Sequence, residues 1–315
     1  MTAQASLIAG GRLHLNHGPI DLIIKAWGSK EAVRTAYDNA SRRFVGLLDE
    51  LVSELQELRS GEAVIMKGPV AHAMAQAVAP FRPAFITPMA AVAGAVADEI
   101  LAHLVSGGGI TRAYVNNGGD IALHLDAGEN LVAAIAARPA LTDSVCIHAS
   151  DPVRGIATSG WRGRSFSLGI ADAVTVLARN AAQADAAATI IANAVDLPDH
   201  PAVTRRPANE IKADSDLGER LVTIGVGPLS QVERSAALKR GLIAARAAQA
   251  QGLIHSAALF LQGEVLTASG PALENPFHFP ASDMLEPAGD SALRRIGAVG
   301  GDHALVPSRS EYFLG

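Results

Sequence analysis

Apolar residues recur at spacings of three and four from residue 30 to residue 58, and this pattern predicts one long helix. Ser29 is suited to cap its start, and Gly61 is expected to end it. Similar patterns predict helices at 88–105, 181–194 and 233–251. The apolar positions of the first helix are Val33, Ala36, Ala40, Phe44, Leu47, Leu48, Leu51, Leu55 and Leu58.

Short runs of apolar and β-branched residues predict strands between these helices. We expect the strands at 131–137 and 144–149 to belong to the same sheet as those at 111–115 and 121–125. The stretch after Gly61, which contains three prolines, and the polar segment 198–216 are expected to be connections. Because strands and helices cluster, the pattern favours an α+β fold with helices on one face of a largely antiparallel sheet. The remaining predicted strands are residues 21–26, 171–178, 253–261 and 264–268.

The composition supports a folded chain with a large core. Of 315 residues, 49% are hydrophobic and 18% are charged, against a usual charged share of about 25%. A net charge of −5 and an aromatic content of 4% argue against a nucleic-acid partner. We expect residues 1–270 to form one domain, and residues 271–315, which are dense in Pro, Gly and Ser, to form an irregular C-terminal extension.

Other classes of protein are disfavoured by what the chain contains. The longest apolar stretches, such as 84–97, fall short of the ~18–20 residues that a membrane span needs. The first twelve residues lack the pattern of a secretory leader, so we expect a cytoplasmic protein without a membrane partner. Cys146 is the single cysteine, which excludes an internal disulfide.

Two Gly-punctuated loops are candidates for binding an anion. In residues 116–120 (NNGGD), Asn and Gly tolerate positive φ, so successive amides can form an anion-binding nest beside Asp120. A plain hairpin turn explains the same residues. Residues 155–160 (GIATSG) offer the hydroxyls of Thr158 and Ser159, and two arginines follow closely at 162 and 164. A polar surface turn is the alternative interpretation.

Asp185 and Thr189 lie four residues apart in the predicted helix 181–194 and therefore share one helix face. A carboxylate and a hydroxyl are oxygen ligands suited to Mg²⁺. The alternative is an Asp that the dipole of its own helix stabilises near the N-terminus. By spacing alone the second interpretation is favoured, because Asp–Thr pairs four residues apart are common in helices.

Taken in order, four segments of the chain resemble the ApbE-like superfamily, across about residues 20–265. They are PMAAVAGAVADEI (88–100), YVNNGGDIAL (114–123), GIATSGWRGRSFSLGIADAVTVLA (155–178) and QADAAATIIANAV (183–195). The best-known members are flavin transferases, which cut FAD and attach FMN to a Thr or Ser of a target protein. The sequence is most similar to the short, cytoplasmic branch of the superfamily.

This resemblance implies a two-lobed T-fold-like duplication, with largely antiparallel sheets backed by helices and a ligand cleft between the lobes. It also implies a site for FAD or FMN lined by the GGD and TSG loops, and a Mg²⁺ ion held partly by Asp185 and Thr189. Asp120 would act as the catalytic base or hold a second ion. The residues implied to bind the cofactor are Asn117, Gly118, Gly119, Asp120, Thr158, Ser159, Gly160 and Arg164.

The sequence also departs from the transferases. Ala93-Gly94 stands where they usually have Lys-Gly, and the stretch after Gly160 lacks their histidine. Arg164 occupies a position where relatives in the short branch often have His. Two functions therefore remain open. The first is a transferase with an acceptor protein as its partner. The second is a protein that binds a small metabolite without transferring it, or with a different reaction. The small residues of the helices and the edge strands favour a homodimer.

Overall fold

The computed structural model describes residues 2–135, 143–269 and 276–279, and the backbone of residues 303–305. Short 3₁₀ turns are formed by Ala9–Gly11, Ala79–Phe81 and Pro88–Ala91. The helices are α1 (Lys30–Phe44), α2 (Leu47–Ser53), α3 (Leu55–Leu58), α4 (Pro69–Val78), α5 (Val92–Val105), α6 (Ala181–Ala194), α7 (Ala208–Ile211) and α8 (Gln231–Ala250). The strands are β1 (Gln4–Ile8), β2 (Arg12–His17), β3 (Ile20–Gly28), β4 (Ile110–Asn117), β5 (Asp120–Leu125), β6 (Asn130–Ile135), β7 (Asp143–His148), β8 (Gly155–Ser159), β9 (Ala173–Ala178), β10 (Val203–Pro207), β11 (Leu221–Val226), β12 (Ser256–Leu261), β13 (Glu264–Ala268), β14 (Phe277–His278) and β15 (His303–Leu305).

A nine-stranded antiparallel sheet forms the centre of the fold, in the order β1-β2-β3-β4-β5-β8-β9-β12-β13. Strands β1 to β5 make one half, and β8, β9, β12 and β13 make the other, while β10 and β11 pair in a separate two-stranded sheet. The halves join where β5 pairs with β8, through only Ile121 with Ile156 and Ala122 with Gly155. This seam, defined as the β5–β8 junction, lies between two longer antiparallel ladders. The predicted α+β class with largely antiparallel sheets backed by helices is confirmed.

The helices cover one face of this sheet and bury an apolar cluster on each half. On the first half, Leu22 and Ile24 pack beneath residues of α1, α4 and α5. On the second half, Val174 and Leu259 pack beneath α6 and α8. Helices α5 and α6 contact each other above the seam, so the helix layer is continuous over the junction.

A small sheet with the order β14-β7-β6-β15 covers the opposite face of the central strands. Its inner side chains, such as Leu131 and Ile147, pack on Leu123, Ile156 and Phe260 of the main sheet. The expectation that 131–137 and 144–149 extend the main sheet is therefore wrong. The physical reason is that β9 and β12 are buried on both faces, so a second apolar layer must cover them. Residues 136 and 137 of the expected strand lie outside the described residues.

The predicted helix at 30–58 is broken into α1, α2 and α3. The break falls at Gly46, whose φ of 83° lies in the left-handed region that interrupts an α-helix. The expected connection after Gly61 contains α4, because Pro69 occupies the first position of that helix, where its missing N–H costs nothing. Residues 198–216 contain β10 and α7. The sequence patterns also missed β1, β2 and β11.

Residues Pro88–Val105 are long and apolar enough, by length and composition, to cross a membrane, although the sequence expectation was that apolar stretches fall short. In the fold, this segment forms a 3₁₀ turn and α5, which pack against α1, α6, β4 and β5. We interpret it as a core helix of a globular domain.

The division into residues 1–270 and 271–315 stays a prediction, because most of the second segment lies outside the described residues. Two short pieces of it are described. Strand β14 pairs antiparallel with β7, and β15 pairs parallel with β6.

Candidate functional site

The NNGGD segment forms the tight turn of the β4–β5 hairpin. Asn117 pairs with Asp120 across it, and only Gly118 and Gly119 lie between the strands. Their φ angles of 65° and 116° are both positive, which a two-residue hairpin turn of this hand requires and which Gly adopts without strain. The turn therefore places Asp120 at the first position of β5, next to the seam.

Two asparagine side chains fix the tip of this hairpin. The amide of Gly119 donates a hydrogen bond of 2.9 Å to Asn116 Oδ1. Asn117 Nδ2 donates to the carbonyl oxygen of Ala93, at 3.1 Å, just inside the start of α5. Both asparagines are buried. The turn is thus held against the N-terminus of α5, and the Gly119 amide is already engaged within the protein.

The TSG segment lies beside Asp120, across the seam. The amide of Thr158 donates to Asp120 Oδ1 at 3.1 Å, although the two residues are 38 positions apart. The Thr158 hydroxyl is 2.9 Å from the hydroxyl of buried Thr175, while Ser159 is half-buried. Gly160 ends the segment, and a Cβ there would lie 2.6 Å from the Asp172 carbonyl oxygen. The fold therefore brings the two predicted loops together.

Two further carboxylates reach this region from the helix layer, and each one caps the helix that carries the other. Asp185 of α6 accepts a hydrogen bond of 3.0 Å from the Gly94 amide, in the first turn of α5. Asp98 of α5 accepts from the amides of Ala181 and Ala182, at 3.0 and 2.9 Å, in the first turn of α6. The free amides and the dipole of a helix N-terminus favour negative charge. Asp185 is therefore a cap for α5, which neither interpretation of the sequence anticipated.

Glycines allow these elements to come so close. A Cβ at Gly94 would lie 2.2 Å from the Ala181 carbonyl oxygen, and a Cβ at Gly155 would lie 2.0 Å from the carbonyl carbon of Asn180. No heavy side-chain atom fits at either distance. The backbone of α5 and the backbone of β8 are therefore each in direct contact with the start of α6.

Burial disfavours the charged forms of these acids. Desolvation raises the pKa of Asp120 to about 7, against the lowering effects of the Thr158 amide and the Arg164 charge. Desolvation, and then the charge of Asp120, raise the pKa of Asp185 well above its usual value, although the Gly94 amide lowers it. These two carboxylates are desolvated by burial, and their negative charges repel each other. A shared proton or a bound cation would remove this repulsion.

Asp98 is less perturbed than these two carboxyls. Desolvation raises its pKa to about 6, and its two hydrogen bonds from the start of α6 act in the opposite direction. Since both of its oxygens already accept hydrogen bonds, its position is that of a structural cap. Asp120 accepts the Thr158 amide on one oxygen, and Asp185 accepts the Gly94 amide, with a further contribution from the amide of Ala93.

The two arginines of the TSG stretch have different surroundings. The Arg164 guanidinium lies against the GG turn, with Nη1 only 2.4 Å from the point where a Cβ of Gly118 would be. Arg162 Nε instead donates to Asp172 Oδ1 at 2.6 Å, and Trp161 Nε1 donates to the same oxygen at 3.2 Å. Of the two cations, Arg164 is the one beside the carboxylate pair.

Thr189 lies one helical turn beyond Asp185 and is half-buried. Across the described parts of the chain, no group of three or more His, Cys, Asp and Glu side chains is arranged to hold a metal ion. An ion at this place would therefore depend on two carboxylates, a hydroxyl, and oxygens from water or a ligand.

Two cavities of the described structure lie elsewhere. One of about 640 Å³ adjoins α7, and one of about 250 Å³ lies between residues 62–66 and α4. Neither includes the carboxylate pair, so the predicted cleft between the lobes stays a prediction.

Sequence reasoning missed Asp98, Gly94 and Asn116. A signal for the first two was present, because Asp98 follows Gly94 by four residues on the same face of an otherwise apolar helix. A carboxylate on such a face needs a buried partner.

Comparison with known proteins identifies relatives over most of the chain. A family model described as AbpE bacteria matches residues 4–267. The UPF0280 protein of Methanothermobacter thermautotrophicus is 38% identical over 157 residues, which are 49% of this chain and 59% of that protein. The UPF0280 protein of Methanothrix thermoacetophila is 42% identical over 113 residues, which are 35% of this chain and 46% of that protein. The chain thus spans about half the length of the curated relatives it matches.

Two solved structures match most of the chain at low identity. The flavinyl transferase ApbE of Pseudomonas stutzeri, in its apo form, is 13% identical with a TM-score of 0.44, and the match covers 86% of this chain and 96% of that one. The flavin transferase ApbE of Vibrio cholerae is 14% identical with a TM-score of 0.40, and the match covers 86% and 98%.

Proposed function

The chain belongs to the AbpE bacteria family, the ApbE-like family that its motifs resemble, and on that basis we propose that it binds a phosphate-bearing flavin, FAD or FMN, together with Mg²⁺ at the seam. The observation that carries the proposal is the pair Asp120 and Asp185. Their charged forms are disfavoured by burial and by each other. A divalent cation bound by the two carboxylates would neutralise their charges, and it would also bind an anionic ligand.

The donor chemistry of the site fits the ion. Asp185 and Thr189 would hold Mg²⁺ from one helix face, with Asp120 on the strand opposite. Mg²⁺ commonly takes one or two carboxylates and completes its shell with waters and phosphate oxygens. When bound, the ion would neutralise a pyrophosphate and act as a Lewis acid on its phosphoryl oxygens, which would make the phosphorus more electrophilic. The small number of protein ligands therefore supports Mg²⁺ with a phosphate ligand.

The surrounding residues would position the ligand. Arg164, which lies against the turn at Gly118, offers a cation for a phosphate oxygen. Ser159 would contribute a hydroxyl, and Asn117 would keep the turn docked on α5. Because the Gly119 amide already bonds to Asn116, we expect the arginine, and not a nest of glycine amides, to supply most of the anion contact.

Transfer of FMN to a protein is the enzymatic form of this proposal. Asp120, with a pKa of about 7, has a basicity suited to accepting the proton of an acceptor hydroxyl near neutral pH. The acceptor would be a Thr or Ser of a partner protein. We place the protein in the cytoplasm and propose that it acts as a homodimer.

Binding of a flavin or another small metabolite without transfer is the second candidate. It is favoured by Ala93, which stands where the transferases usually have Lys, and by the lack of a His in the stretch after Gly160. In this form Asp120 would serve only as an ion ligand.

One experiment addresses both forms. Titration calorimetry of the wild type and of Asp185→Asn with FAD, with and without Mg²⁺, is expected to show tight binding only for the wild type with Mg²⁺. Release of AMP from FAD in the same mixture, followed by chromatography, separates transfer or hydrolysis from binding alone. An equal affinity for FAD in all four titrations would contradict the proposed metal site.

A further inference from the structure

The outer edge of β1 is the most exposed strand edge of the main sheet. Strand β1 is the last strand on its side and pairs only with β2 among the described residues. Four of its five residues are exposed, and Leu7 is 71% exposed. An edge strand directs alternate N–H and C=O groups outward, where they can pair with another strand.

The sequence of this edge lacks the usual protection against pairing. Residues 2–11 (TAQASLIAGG) contain no charged side chain and no proline. Proteins usually protect an open edge with lysines, prolines, bulges or a covering element. The pairing of β1 with β2 runs over all five residues in one register, from Gln4–Asn16 to Ile8–Arg12.

The opposite edge strand of the same sheet, β13, is less exposed: its residues are half-buried or buried, whereas four of the five residues of β1 are exposed. Helix α8 packs against β13. Arg234 of that helix forms an ion pair of 2.9 Å with Glu264, the first residue of β13. The contrast between the two edges indicates that the openness of β1 is not a general property of this sheet.

We propose that β1 is the interface for a second copy of this chain, and that the two β1 strands pair antiparallel about a two-fold axis at Ser6. In this register, Ser6 faces Ser6 of the partner subunit, Ala5 faces Leu7, and Gln4 faces Ile8. The contact is self-complementary, as a two-fold interface must be, and it brings no two like charges together. The nine-stranded sheets of the two copies would then be continuous.

A five-residue strand buries less surface than the ~1,200 Å² or more of a stable interface. The helix layer would supply the remainder. Val45, which follows α1, and Val52 of α2 are large apolar side chains that are 67% and 56% exposed. Buried residues of these two helices, Phe44, Leu47 and Leu51, pack in one cluster with Leu13 and Leu15 of β2, the strand next to β1. The interface would therefore combine strand pairing with an apolar contact beside it.

Sedimentation equilibrium tests the proposal without any ligand. The wild type is expected to have twice the 32.5-kDa mass of the chain. Ser6→Lys would place two ammonium groups opposite each other and raise the dimer dissociation constant at least ~100-fold. Ala236→Lys adds the same charge on the exposed side of α8 and is expected to leave the dimer intact. A monomeric wild type, or a Ser6→Lys variant that remains dimeric, would overturn the proposal.

Cysteine cross-linking tests the register directly. In a Cys146→Ser background, Ser6→Cys is expected to form a disulfide-linked dimer under mild oxidation, because directly opposed residues of antiparallel strands lie ~4.5–5.5 Å apart. Gln4→Cys is the matched control and is expected to remain largely uncross-linked, since its partner would be Ile8. Equal cross-linking of both variants, or none with Ser6→Cys, would contradict the register.

Discussion

Replacing Asp120 by Asn is expected to stabilise the ligand-free protein at pH 8, although it removes a residue of the proposed site. The Asn carbonyl oxygen can still accept the hydrogen bond from the Thr158 amide. What disappears is a desolvated negative charge that raises the pKa of Asp185. The substitution therefore separates the cost of the charge from the packing of the side chain.

The magnitude follows from the pKa. A folded-state pKa of about 7, against an ordinary value of 3.8, means that ionising Asp120 costs ~4 kcal/mol of stability at most. Because the folded pKa is raised, this stability is fully present below the unfolded pKa and is lost as the pH rises through about 7. The neutral amide forms a weaker hydrogen bond, which offsets part of the gain. We expect a net stabilisation of ~1–3 kcal/mol at pH 8.

Urea unfolding at several pH values between 4 and 8 measures this effect. The gain of Asp120→Asn over the wild type is expected to grow as the pH rises and to shrink toward pH 4. Asp38→Asn, at an exposed position of α1, is the control and is expected to change stability by less than ~0.5 kcal/mol. A loss of stability at pH 8, or a difference that does not vary with pH, would show that the ionised Asp120 side chain does not destabilise the fold.

Substitutions at three other positions test the helix caps and the hairpin. Asp98→Ala removes both acceptors at the start of α6 and is expected to cost ~2 kcal/mol in urea unfolding, whereas Asp98→Asn keeps one acceptor and should cost less. A change of Gly to Ala stabilises an ordinary helix by ~1 kcal/mol. For Gly94→Ala we instead expect a lower melting temperature, because the added Cβ would lie 2.2 Å from the Ala181 carbonyl oxygen. A higher melting temperature would contradict the close contact between α5 and the start of α6. Asn116→Ala frees the Gly119 amide, and faster hydrogen exchange at that amide is the expected result, with unchanged exchange counting against the proposed role of Asn116.

Local patterns were sufficient to predict much of the secondary structure. The predicted helix at 181–194 has the same bounds as α6, and the hairpin at 253–268 is confirmed as β12 and β13. The break at Gly46 was hidden, because the apolar spacing continues across it. The layer to which β6 belongs could not be predicted either, since its alternating pattern fits any strand that is buried on one face.

The sequence was sufficient to predict which residues belong to the candidate site, but not which hydrogen bonds hold them in place. The GGD and TSG motifs and the Asp185–Thr189 pair are visible in the sequence. The partner of Asp185 is a backbone amide 91 residues away in the chain, and a backbone amide carries no signal in the sequence. The reciprocal caps of α5 and α6 therefore emerge only when the two helices are packed.

The most direct test of the metal-dependent site is anomalous diffraction from crystals grown with Mn²⁺ and FAD, with Mn²⁺ as a stand-in for Mg²⁺. We expect an anomalous peak within bonding distance of an Asp185 oxygen, with Asp120 or Thr189 beside it and a phosphate oxygen of FAD completing the shell. Bound FAD with its phosphates away from the seam, or a manganese peak that contacts neither Asp120 nor Asp185, would contradict the central claim.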